Sequence, residues 1–200
     1  MIIYLCLVLI FVLWLNYEIN KTNRLENKNR EKFWEKEARA NKTRKTDISD
    51  LDYITIPVDK LPTDDHSDPA IKSYRDTIVS HSNKKILNLS GFSNTDLKLK
   101  YGAANLGLLS EYDNNFIIMV TNLNKWAERL YNIGYPDEAA AVLETAVECR
   151  SDTHKTYELL ARIYSEQGMK DKIASLIEKI GSVPVRDKES LLKKISKYNT

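Results

Sequence analysis

The chain has little with which to do chemistry. Its 200 residues include two cysteines, three histidines, six glycines and five prolines. Cys6 and Cys149 lie far apart and no Cys/His cluster occurs, which excludes a disulfide framework and a cysteine-built zinc site. A chain without staples fits a reducing compartment. His66, His81 and His154 stand in polar or turn contexts with no partner at metal-ligand spacing, so each reads as an exposed structural histidine. No GxxxxGK(S/T), GxSxG or HExxH pattern is present, nor any glycine-rich loop from which a phosphate cradle could be built. These absences argue against an enzyme, and they imply no cofactor, no metal and no small-molecule substrate. Carboxylates are plentiful, but charged helical surface explains them.

Net charge is also nearly absent, at +2, yet that value hides a split. Residues 18–45 carry ten Lys/Arg against five Glu, a local +5, and residues 1–17 carry none, which leaves 46–200 at −3. A basic block beside an apolar segment points to an anionic lipid surface before it points to nucleic acid. No nucleic-acid partner is expected. Lys, Asn, Ile and Tyr are abundant, residues of AT-rich codons, which points to a low-GC bacterial source. The sequons at Asn20, Asn41 and Asn88 are accordingly read as chance matches.

What is present begins with an apolar run. Ile2 to Leu15 reads IIYLCLVLIFVLWL, and residues 1–17 as a helix would extend roughly 25 Å, close to a hydrocarbon core of ~30 Å. Trp14 and Tyr17 sit at one end, where amphipathic aromatics prefer headgroups. A cleaved signal needs a positive start and a small-residue cleavage site, and neither occurs. The run therefore reads as an uncleaved transmembrane anchor. Lys21, Arg24, Lys28 and Arg30 follow it and nothing basic precedes it, so the positive-inside rule predicts a single-pass plasma-membrane protein, N-terminus outside and soluble part cytoplasmic.

Residues 18–45 contain strong helix formers and no Pro or Gly, with acid-before-base pairs Glu26–Arg30 and Glu35–Arg39, and predict a basic helical stalk. Its apolar residues do not repeat at heptad spacing, so no coiled coil is implied. Phe33 and Trp34 read as docking on the protein's own downstream domain. Residues 46–68, with two prolines and seven aspartates, read as an extended linker with one short strand at Tyr53–Ile56. Asp68-Pro69 predicts a helix start, with Ile71, Tyr74 and Ile78 on one face, and opens a helical stretch over 69–119. Ser93 signals another start, with Leu97, Tyr101, Ala104 and Leu108 sharing a face. Asp113 signals a third, bearing Ile117, Val120, Leu123, Ala127 and Leu130.

Over residues 120–181 the chain repeats itself at an offset of 34. Leu123, Trp126, Ala127 and Leu130 fall on Tyr157, Leu160, Ala161 and Tyr164. Gly134, Ala139, Leu143 and Ala146 fall on Gly168, Ile173, Ile177 and Ile180. This is the pattern of a helical hairpin, in which small residues let two helices approach and a glycine turns the chain between them. The period and the pattern LxxWAxxLxxxGxxxxAxxxLxxA resemble the tetratricopeptide repeat. The second copy departs at Ile173, Ile177 and Ile180, where small or aromatic residues are usual, and neither copy ends in the usual proline. Two copies need flanking helices to bury their ends. Downstream, Pro184 ends the repeat, and within residues 182–200 a capping helix would turn Leu191, Leu192, Ile195 and Tyr198 inward.

The expected fold is therefore all-α: transmembrane helix, charged stalk, and a tetratricopeptide-like α-solenoid with a capping helix. The resemblance implies a protein or peptide partner bound on the concave face lined by the first helix of each copy. Asn124, Glu128 and Tyr131 would stand there from the first copy, and Lys155, Glu158, Arg162 and Ser165 from the second. The Lys/Asn/Arg set with which some family members clamp a terminal carboxylate is not reproduced, since Glu128 stands where Asn would be expected. Two functions fit: an adaptor or scaffold recruiting a cytoplasmic partner, or a structural assembly subunit of an envelope complex acting through its anchor and stalk.

Overall fold

Of the three helix starts expected at Asp68, Ser93 and Asp113, the first two are made by their side chains. Asp68 Oδ1 accepts the Ala70 amide at 2.8 Å and starts the helix at Pro69. Ser93 and Asp96 exchange hydrogen bonds in a capping box. The computed structural model describes residues 2–183 and 185–199, so the part assigned to Pro184 lies outside the described residues. Among those described, the protein is all-helical, with eight α-helices and no strand. The helices are α1 (Ile2–Lys42), α2 (Pro69–His81), α3 (Asn94–Tyr101), α4 (Leu106–Asn132), α5 (Pro136–Glu148), α6 (His154–Glu166), α7 (Lys170–Ser182) and α8 (Lys188–Ser196). They form two compact units, one from residues 2–48 with Ser93–Leu106, the other from Ser49–Phe92 with residues 107–199.

Anchor and stalk are one element, α1. Among the described residues no helix is long and apolar enough to cross a membrane. The single-pass reading, its N-out topology and the cytoplasmic placement are thereby overturned, and the lipid contact expected of the basic segment rested on them. The physical reason is length. The uncharged apolar run of α1, Ile2–Leu15, spans only about 21 Å of helix, and a transmembrane helix takes roughly 17–25 residues.

The first unit is held where the end of α1 meets α3. Ala40 is buried there; Lys36 reaches Asp96 at 2.7 Å, and Glu37 accepts bonds from the Thr95 hydroxyl at 2.7 Å and from Lys98. With Lys36 and Ser93 both bonded to it, the Asp96 carboxyl is held down to about 2. Gly102 ends α3 at φ 88°, and a Cβ there would run into the Arg44 carbonyl. The chain breaks at this glycine, so Leu97 and Tyr101 do not share a helix with Ala104 and Leu108. Fully buried Asn105 donates to the Thr46 and Tyr101 carbonyls, both at 2.7 Å. Phe33 and Trp34, expected to dock on their own chain, are exposed and pack edge-on against each other.

In the second unit the linker is part of the core. Ile54 and Ile56 alternate with exposed Thr55, and with Leu61 they join the central apolar cluster. No strand forms: Ile54 makes a single backbone bond to Ile86, at 2.9 Å, and a 3-10 turn follows at Val58–Lys60. α4 runs through Asp113 without a start there, because that carboxylate accepts the Leu89 amide instead. Of the stripe expected on α4 only Ile117 is out of place: it is 55% exposed, and Phe116, 2% exposed, is buried instead, while Val120, Leu123, Ala127 and Leu130 are buried as expected. Trp126, Tyr157, Leu160, Ala161, Ile173 and Ile180 also lie in the core as expected; on α7 Leu176 is buried where Ile177, only partly buried, was expected.

The hairpins α4–α5 and α6–α7 turn in the same way. Gly134 and Gly168 take φ 92° and 71°; Tyr135 N–H bonds the Leu130 carbonyl as Met169 N–H bonds that of Tyr164. The starts of α5 and α7, and of α6 and α8, lie 34 residues apart.

Two measurements test this core. Trp126 is fully buried with its indole N–H unpartnered. In urea denaturation Trp126→Ala is expected to cost about 3–5 kcal/mol, whereas Trp126→Phe, which deletes the orphan donor, stays within about 1.5 kcal/mol. Burial pushes the Cys149 thiol up to about 12. Peptide mapping after iodoacetamide treatment should find Cys149 unmodified in the native protein and modified once it is denatured.

Candidate partner-binding cleft

A residue opposite the buried stripe of a helix faces outward, and two neighbouring helices bring their outward stripes together. Asn124, Glu128 and Tyr131 recur on α4 at spacings of four and three; Lys155, Glu158 and Arg162 recur on α6 at three and four. Together with Asn132 and Leu159 they line one cleft of about 210 Å³. Of the seven residues singled out by sequence, Ser165 alone is absent from this lining. It is exposed one turn beyond Arg162.

Their bonding separates them into groups. Asn124 is consumed by the fold: its amide N–H groups go to the Val120 carbonyl at 2.8 Å and the Thr153 hydroxyl at 3.2 Å, and its oxygen accepts from Thr156 at 2.9 Å. Thr156 is fully buried and also bonds Ser151, whose carbonyl accepts the Tyr157 hydroxyl. This network ties α4 to the start of α6. Tyr131 donates to Glu166 at 2.8 Å, and that bond, with burial, raises its phenol above the ordinary value. The Tyr198 and Tyr131 hydroxyls near Arg162 hold its guanidinium above its ordinary value, and Glu158 meets Lys194 at 2.8 Å. Glu128 and Lys155 are exposed, one on each wall, and neither has a hydrogen-bond or ion-pair partner among the described residues.

Sequence reasoning missed the share that α8 takes. Glu158, Lys194, Lys197 and Tyr198 line an adjoining hollow of about 340 Å³. The signal lay one step further along the period: Leu191, Ile195 and Tyr198 stand 34 residues after Tyr157, Ala161 and Tyr164, and Leu191 and Ile195 are buried. Also missed was a cleft of about 760 Å³ between α5 and α7, floored by Leu160 and Tyr164 and bridged by Glu144 and Lys172 at 3.0 Å. Glu144 stays below the ordinary carboxylate range although burial, the largest influence on it, acts upward; bonds from Tyr164 and Lys172 outweigh it. Two histidines depart from the exposed reading. His81 is buried, and the His66 side chain is 11% exposed. Among the described residues no three His, Cys, Asp or Glu are grouped to hold a metal.

Because Asn124 satisfies buried hydroxyls, Asn124→Ala is expected to lower stability by about 1–3 kcal/mol in chemical denaturation, the cost of stranding polar groups. Glu128→Ala, which strands nothing, should leave the midpoint unchanged.

Compared with known proteins, the chain matches no family model, no curated protein and no solved structure.

Proposed function

We propose that this protein is a tetratricopeptide-like interaction module, an adaptor or scaffold that holds a segment of a partner protein along the cleft between α4 and α6. The observation that carries the reading is the unpaired Glu128 and Lys155 on opposite walls of a cleft in which Asn124, Tyr131 and Glu158 are already engaged. A partner side chain of either sign finds a counter-charge there without breaking a bond of the fold. The 34-residue step, with the same glycine turn in both hairpins, supports the family reading.

A second reading is assembly of a larger complex through α1. It is favoured by the exposed side chains of Ile3, Tyr4, Leu7 and Leu9 to Leu15 and by the exposed Phe33–Trp34 pair.

Site-specific photo-crosslinking in cells separates the two. A photoreactive residue at Leu159 in the cleft is expected to give a protein adduct that the double charge reversal Glu128→Lys, Lys155→Glu abolishes. Affinity for the recovered partner should fall at least about tenfold, on the order of 1.4 kcal/mol. Adducts from Trp34 alone, unchanged by the reversal, would replace the first reading with the second.

A further inference from the structure

The segment between the 3-10 turn Val58–Lys60 and α2 crosses α5 and is pinned there by one imidazole. The His66 ring stacks on Tyr135 with centroids 3.7 Å apart and planes 22° apart. Its Nε2 lies 2.9 Å from Glu138 Oε2, and its Nδ1 lies 3.7 Å from Asp64 Oδ2. The backbone is wound against its preference at this point, since His66 and Ser67 take φ 50° and 57° and neither is glycine. Two aspartates of the same segment hold that winding: Asp64 accepts the His66 amide at 2.8 Å and Asp65 the Ser67 amide at 3.1 Å.

Every other charge near the ring is accounted for. α5 contributes Glu138, and its neighbour Asp137 accepts from Gln167. From α2, Arg75 donates to the Thr63 carbonyl and lies 3.7 Å from Asp65. From α4, Arg129 pairs with Asp68 at 2.6 Å. Both arginines are thus directed to other carboxylates, and the groups facing the imidazole are acidic. The far end of the segment is fixed by Lys60 on Glu148 at 2.7 Å. Between these ends the segment walls a hollow of about 390 Å³ against Asp137, Glu138 and Ala141, and its Lys60 also lines the cleft between α5 and α7.

We propose that residues 62–67 form a proton-operated strap hinged at Lys60 and buried Leu61: His66 carrying its proton clamps the strap to Glu138 of α5, and loss of that proton lets the strap lift and opens the hollow beneath it. Protonated, both ring nitrogens donate, Nε2 to the Glu138 carboxylate and Nδ1 toward Asp64. Neutral, the ring keeps one donor and loses the charge that offsets the wound backbone. The bond to Glu138 outweighs burial and raises the His66 pKa above 6.5. A group whose pKa is raised by folding contributes stability that is complete below its unfolded value and lost as pH rises through the folded one. The strap is therefore closed below pH 6.5 and released on the alkaline side.

Two measurements on the full chain test this. NMR titration of the His66 ring should give a pKa above 6.5 in the wild type and a lower one in Glu138→Gln. Hydrogen exchange, corrected for the intrinsic pH dependence, should show the His66, Ser67 and Asp68 amides losing protection severalfold as His66 titrates, while the Leu61 amide and core amides of α5 and α6 do not change. In His66→Gln the strap should be loose at every pH and its profile flat. An unshifted ring, a wild-type profile that is flat, or one that persists in His66→Gln would each overturn the proposal. Should His66→Gln fail to fold, Glu138→Gln decides by the same profile.

Discussion

A helix can reverse direction within four residues only if one of them accepts a left-handed backbone and the two helices can then approach closely. Gly134 and Gly168 meet the first condition, at φ 92° and 71°, and buried Ala127 and Ala161 meet the second. The rest of the second unit depends on these positions. Because the two turns make the same hydrogen bonds, α4 and α6 turn equivalent stripes inward and equivalent stripes outward. The core of Leu123, Trp126, Tyr157 and Leu160 and the cleft from Glu128 to Lys155 are two sides of that repetition. Substituting either glycine would force a side chain into a backbone region that L residues rarely adopt, and would disturb core and cleft together.

The features legible in sequence were those set by neighbours in the chain. The Asp68 and Ser93 caps, the glycine turns and the buried stripe from Leu123 onward are local patterns. What could not be read was set by distant groups. Phe116-Ile117-Ile118-Met119 offers two apolar stripes offset by one residue, and tertiary packing chose Phe116. Asp113 looks like a cap but serves the Leu89 amide from within a continuous helix. The connector looked like a linker because it is rich in aspartate and proline. Asp52, Asp64, Asp65 and Asp68 are spent on a cap, turns and ion pairs, Asp52 with Arg150, while Ile54 and Ile56 enter the core. Exposed polar residues there alternate with apolar ones that the core takes up. The apolar start of α1 has the aromatic and basic flanks of a span, but its uncharged run is too short to supply one.

The cleft follows the same division. Its residues could be placed from sequence because a polar stripe must lie opposite an apolar one. Which of them remain free could not, since Asn124 is bound by Thr153 and Thr156 from the start of another helix. The result is a cleft in two tiers. The lower tier, Asn124 with Thr156 and Ser151, fixes the spacing of α4 and α6, and any change there strands buried groups. In the upper tier, solvent-exposed ion pairs such as Glu158–Lys194 contribute little to stability, because water screens them. On the proposed reading, a partner would exchange such pairs for its own at almost no cost to the fold, and Glu128 and Lys155 would require no exchange at all. Such a surface would change its charge pattern, and with it the proposed partner, without losing the scaffold that presents it, because its exposed residues are separate from the groups that hold the hairpins together.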